Sequence, residues 1–128
     1  MHPNAQRLGD AYAAFARGDI DSIRNEYFHQ DITFHVPGPS PLAGDFRGLD
    51  AVLAMFGELF AQTGGNFQIE IHDVLGNDRH VVGITTSHVT RNGQARSYRN
   101  IHVAQMKDGK IVEWWEFPEA AAYAEAWG

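Results

Sequence analysis

The chain has 128 residues, 44% hydrophobic and 20% charged, with a formal net charge of -6; this is the balance of one globular domain, residues 1–128, that buries roughly two-thirds of its unfolded surface without a metal or disulfide staple. The acidic balance argues against nucleic acid or an anionic membrane as main partner, since both recruit basic patches. There is no cysteine, hence no disulfide, thiol nucleophile or Cys-ligated zinc.

In chain order, Asn4 is expected to cap a helix beginning near Ala5. Its Leu8, Ala11, Tyr12 and Phe15 fall on one face. Arg17-Gly18 ends that helix, and Asp19 caps a short second one carrying Ile20, Ile23 and Tyr27. Asp31–Val36 alternates and is β-branched and aromatic, so it reads as a strand. Pro37 to Arg47 reads as the longest irregular stretch. A third helix, Leu49 to Gln62, carries Val52, Met55, Phe56, Leu59 and Phe60 at helical spacing and stops at Gly64-Gly65. Four strands follow, roughly Asn66–Leu75, His80–Arg91, Gln94–Lys107 and Lys110–Phe117. Asn92-Gly93 and Asp108-Gly109 are tight-hairpin dipeptides, so these strands form an antiparallel meander. Glu119 to Trp127 closes the chain as a helix. No apolar run approaches the ~20 residues of a membrane span. Met1–Asp10 lacks the apolar stretch of a signal peptide, and the expected location is cytoplasmic.

Two-residue turns fix register where no bulge intervenes. Asn92-Gly93 then places Ser87 opposite Tyr98, Thr85 opposite Asn100 and Gly83 opposite His102. Asp108-Gly109 places Ala104 opposite Glu113, His102 opposite Trp115 and Asn100 opposite Phe117. One face collects Tyr98, Asn100, His102, Trp115 and Phe117; the other collects Ile101, Val103, Val112 and Trp114. Both are apolar enough to need cover. The mixed His102 face is assigned to the helices and a ligand pocket. The uniform Ile101/Val103/Val112/Trp114 face is assigned to a homodimer.

Ordered stretches resemble the SnoaL-like group of the nuclear transport factor 2-like superfamily. They are Tyr12–Asp19, Phe34-His35-Val36-Pro37-Gly38, Gly44–Gly48, and Ile101-His102-Val103 followed by Asp108–Glu116. The resemblance implies an α+β, cystatin-like cone: a curved antiparallel sheet wrapped around N-terminal helices, with a pocket at the open end. Its enzymes include ketosteroid isomerases, polyketide cyclases and limonene epoxide hydrolases. Most of them place an acid where this chain has His102, and histidine also moves protons near neutral pH. The isomerases carry an aspartate base at the position of Val36, so that mechanism is not expected here. The Asp–Arg–Asp set of the epoxide hydrolases is also missing: Arg99 points away from His102, and Phe117 stands where an acid is expected.

The expected site therefore has His102 as acid/base, with Tyr12 and Asn100 positioning oxygen. Phe34, Val36, Phe56, Phe60, Tyr98, Trp115 and Phe117 are expected as ligand-binding wall. His35 should point away from the pocket, and Glu113 should face it near the narrow end, where a buried carboxylate needs a partner. Seven histidines show no HxH or HxxxH pair, so no metal is expected, and no glycine-rich phosphate loop implies a cofactor. The predicted function is binding or converting a small, mostly apolar, oxygenated molecule, by isomerase-, cyclase- or hydratase-like proton transfer if it is an enzyme. The alternative is a non-catalytic ligand-binding or dimeric interaction domain.

Overall fold

A computed structural model describes all residues from Met1 to Gly128. Helix α1 spans Pro3–Ala16, and α2, Ile20–Ser22, runs into a π-helical turn, Ile23–Tyr27. Strands β1 (Phe28–Val36) and β2 (Gly44–Arg47) precede α3 (Leu49–Thr63). Then come β3 (Phe67–Gly76), β4 (His80–Arg91), β5 (Gln94–Lys107), β6 (Lys110–Pro118) and α4 (Ala120–Trp127). No helix is long and apolar enough to cross a membrane.

The caps follow local chemistry. His2 Nδ1, rather than Asn4, accepts from the first turn of α1, at 3.0 Å from the Asn4 amide. Asp19 accepts from the Ser22 amide at 3.1 Å, and Gly64 ends α3 in the left-handed conformation that glycine adopts without strain. In the short second helical segment Ile23 is buried and Ile20 exposed. Strand β1 begins at Phe28, earlier than its alternating segment, and the stretch read as irregular contains β2. There Gly44–Arg47 folds back antiparallel onto Thr33–Val36.

One six-stranded sheet runs in the order β2-β1-β6-β5-β4-β3, with β1 and β6 parallel and every other pair antiparallel. Helices α1 and α3 cover its concave face with Leu8, Tyr12, Val52, Met55 and Phe56. Bulges curve it, because an extra residue bends the strand and raises its twist.

One bulge reverses part of the expected facing. The β4/β5 register is as the Asn92-Gly93 turn requires, with Gly83 opposite His102 and Ser87 opposite Tyr98. Along β5/β6 the pairs Lys107–Lys110 and Met106–Ile111 also hold. Then Val112 is left unpaired, and Gln105 faces Glu113, Ala104 faces Trp114 and His102 faces Glu116. A one-residue slip sends every later side chain to the other face. Trp114, expected on the dimer face, is 5% exposed in the core. Trp115 and Phe117, expected in the pocket, turn outward, and Phe117 is 59% exposed.

The physical reason lies in Glu113. Without the bulge its carboxylate would enter the narrow end of the core with no partner. With it, Glu113 reaches the outer surface and bonds His35 Nε2 at 2.7 Å. His35 Nδ1 meets Asp45 at 2.6 Å, and its ring stacks on Trp115. One imidazole thus ties β1, β2 and β6 together. Burial pulls its pKa down, but the hydrogen bonds to Glu113 and Asp45 outweigh that and raise it above the ordinary histidine value.

Candidate functional site

Between the concave face and the helices lies a cavity of about 80 Å³; one water needs ~10–15 Å³ on this measure, so the space holds several waters or a small ligand. Of its 23 lining residues 18 are hydrophobic, so the few polar groups decide what it recognises. Phe34, Val36, Phe56 and Tyr98 line it. Val36 offers no proton acceptor at its position. Phe60 does not line it; α3 is rotated so that Leu59 does, and Phe60 stacks behind Phe15 at 5.3 Å. Trp114 takes the place expected for Trp115. Its ring lies parallel to Phe34 at 5.3 Å and 4.8 Å from the His102 ring.

The structure brings Tyr12, Asn100 and His102 together and adds Glu116. His102 is 3% exposed, and its Nδ1 lies 2.7 Å from the Tyr12 hydroxyl. Gly83 makes this approach possible, because a Cβ there would overlap the Tyr12 hydroxyl and stand 2.9 Å from Tyr12 Cζ. His102 Nε2 lies 4.0 Å from Glu116 Oε2. Glu116 accepts hydrogen bonds from Asn100 Nδ2 and Trp114 Nε1, both at 3.0 Å.

These contacts assign protons. The carboxylate beside Nε2 favours a proton there, so Tyr12 donates to the Nδ1 lone pair. Burial lowers the His102 pKa, with the nearby Glu116 charge opposing, and holds the imidazole neutral. Burial first, and the Glu116 charge second, push the Tyr12 hydroxyl far up, which keeps it a donor. Burial likewise pushes Tyr98 up, to about 12. Tyr12 therefore serves His102 directly, rather than an incoming oxygen.

Two buried polar atoms have no partner: Ser87 Oγ and Asn100 Oδ1. Both residues line the cavity. Helix α4 packs Tyr123 and Trp127 over one end of it. The Trp127 indole donates to the Tyr98 hydroxyl at 3.0 Å, and the Tyr123 hydroxyl donates to the Pro37 carbonyl at 2.8 Å.

Sequence reasoning missed Glu116 because unbroken alternation turned it outward. The available signal was Glu113, a carboxylate that the same alternation stranded in the core.

Residues 8–114 match the SnoaL-like domain. An uncharacterized protein of Mycobacterium tuberculosis is 34% identical over 116 residues, spanning 90% of this chain and 88% of the relative. Among solved structures, Bal32a from a soil-derived mobile gene cassette superposes with a TM-score of 0.92 at 32% identity, covering 98% of this chain and 97% of that one. TerC, co-crystallized with polyporic acid, superposes with a TM-score of 0.85 at 23% identity over 98% of each chain, a likeness of fold.

Proposed function

The chain belongs to the SnoaL-like domain family, and from that premise we propose that its cavity takes a small, mostly apolar, oxygenated molecule and moves a proton next to that molecule's carbonyl. The reaction class is isomerisation, cyclisation or hydration, with His102 as the hydrogen-bonding acid and Glu116 as the base. Neutral His102 presents Nε2–H to the ligand oxygen as charge develops there. The Glu116 carboxylate takes the proton from the carbon beside the carbonyl and returns it to the rearranged molecule, and Tyr12 fixes the orientation and tautomer of His102. The observation that carries this reading is the buried Tyr12–His102–Glu116 chain set in an apolar cavity.

The test is hydrogen–deuterium exchange at the carbon beside the carbonyl of 6-hydroxy-2-tetralone, which carries both a ketone and a hydroxyl, in D2O, followed by NMR. The protein is expected to accelerate exchange, and His102→Gln to remove about 10²-fold or more of the acceleration. Exchange at the buffer rate with the ketone bound would contradict the catalytic reading and leave a binding domain. The covering of the cavity by Tyr123 and Trp127 favours that second reading.

We further propose that the outer sheet face packs against a second copy. Val82, Val103 and Trp115 form one cross-strand row, and Ile84, Ile101 and Phe117 the next. Val112 joins this face at the bulge, while Trp114 does not. A contiguous apolar surface of this kind is uncommon on a monomer. Sedimentation velocity at micromolar concentration is expected to show a dimer, and a monomer there would refute it.

A further inference from the structure

The polar inventory of the cavity narrows the ligand's chemistry beyond the reading above, on which this inference rests. No lysine or arginine lines the cavity, and its one formal charge is the Glu116 carboxylate, since His102 is held neutral. An anionic ligand would be desolvated beside that carboxylate with no cation to meet it.

The orientation of Asn100 is fixed by chemistry. A carboxylate only accepts, so the amide atom 3.0 Å from Glu116 Oε1 is the nitrogen, and the atom left over is Oδ1. Asn100 is 1% exposed, and that oxygen has no partner. An amide oxygen can be satisfied only by a donor. Ser87 Oγ has no partner at full hydrogen-bond geometry but acts on the Tyr98 hydroxyl opposite it; it sits on the same face of neighbouring β4, paired with Tyr98, two residues before Asn100 on β5. A hydroxyl can donate or accept, so Ser87 complements either end of an O–H group. Waters could fill the same positions, but a ligand expelling them must replace their hydrogen bonds or lose affinity.

We infer that the ligand is uncharged and presents an O–H (or N–H) hydrogen to Asn100 Oδ1, its other oxygen being free to meet the His102 side of the cavity. A hydroxylated aromatic or enol-bearing molecule fits this pattern; a carboxylate, or an ether or ketone with no donor, does not.

The probes are 2-naphthol, 2-methoxynaphthalene and 2-naphthoate, which share a ring system and differ in the oxygen group. Each is titrated into the full chain at neutral pH and followed by protein NMR shifts at the cavity residues. 2-Naphthol is expected to bind about tenfold or more tighter than the other two, the penalty of leaving a buried acceptor unpaired. Asn100→Ala is expected to erase its preference over the ether; if that variant does not fold, the wild-type ranking decides alone. Equal binding of naphthol and ether would overturn the donor inference while the pocket reading stands. Tightest binding by naphthoate would overturn the claim of an uncharged ligand. No shift at the cavity residues with any of the three at millimolar concentration would overturn both this inference and the pocket reading.

Discussion

Trp114→Ala is expected to lower the unfolding free energy by about 3–5 kcal/mol, and Trp115→Ala by about 1 kcal/mol or less, in denaturant melts of the two variants. The residues are neighbours in sequence and identical in type, so only facing separates them. Trp114 is 5% exposed, lies flat on Phe34, meets the Tyr12 ring edge-on at 6.1 Å and donates its indole N–H to Glu116. Removing it opens a large hole and takes one donor from the carboxylate. Trp115 lies on the outer face against His35. Unbroken alternation from the Asp108-Gly109 turn predicts the opposite ranking. Equal losses, or a larger loss at Trp115, would refute the Val112 bulge and with it the placing of Glu116 beside His102. Because Trp115 belongs to the proposed dimer face, both melts belong at one low protein concentration.

The second large effect is expected from one methyl group. Gly83→Ala places a Cβ in the space of the Tyr12 hydroxyl. That ring is packed among Trp114 and His102 and has little room to yield. Overpacking of this kind costs about 1–3 kcal/mol. It also breaks the hydrogen bond to Nδ1, leaving His102 without the contact that sets its tautomer. Tyr12→Phe removes the clashing oxygen but leaves Cζ close, so the double variant should regain part of the stability lost by Gly83→Ala. That non-additivity is measurable in a double-mutant cycle. Strict additivity of the two changes would mean that Gly83 and Tyr12 do not meet.

Much of this arrangement was legible in the sequence, for reasons that also explain where legibility stopped. Asn92 and Gly93 both adopt positive φ, as do Asp108 and Gly109, so each hairpin turn announced itself and set its register. The β4/β5 ladder continues unbroken from its turn, and so plain alternation puts Gly83, Thr85, Ser87, Tyr98, Asn100 and His102 on one face. The β5/β6 ladder breaks at Val112, a few residues beyond a correctly read turn. A valine in a strand carries no mark that it will go unpaired; the bulge is selected by where Glu113 and Trp114 must end up, which is a tertiary property. Strand β2 escaped notice because four residues after a proline-rich loop carry little pattern of their own, and pairing with β1 supplies their order. In α3 the apolar stripe included both Leu59 and Phe60, and helix rotation, which sequence spacing leaves open by one residue, chose Leu59 for the cavity. Helical spacing places Tyr12 on the buried face, but it does not show that the hydroxyl meets His102, because that closeness depends on Gly83 lacking a side chain.

Proton linkage gives the two best-placed histidines opposite effects. Folded His102 resists protonation, whereas in the unfolded chain it takes a proton near the ordinary value of 6.5. Its contribution to stability is therefore present above that pH and lost as pH falls through its lowered folded pKa. His35 is the reverse: its raised pKa gives a contribution that is full below about 6.5 and lost as pH rises through the folded value.

The proposed chemistry depends on a neutral, buried His102 held by Tyr12 with its proton on Nε2, and a pH titration of the imidazole nitrogens by long-range 1H–15N NMR reads that state. One histidine, assigned to position 102 by loss of its signals in His102→Gln, is expected to keep the Nε2–H tautomer and begin to protonate only below pH 6.5, while His35 titrates above it. A His102 that titrates at or above 6.5, or that samples both tautomers as a solvent-exposed ring does, would contradict the claim.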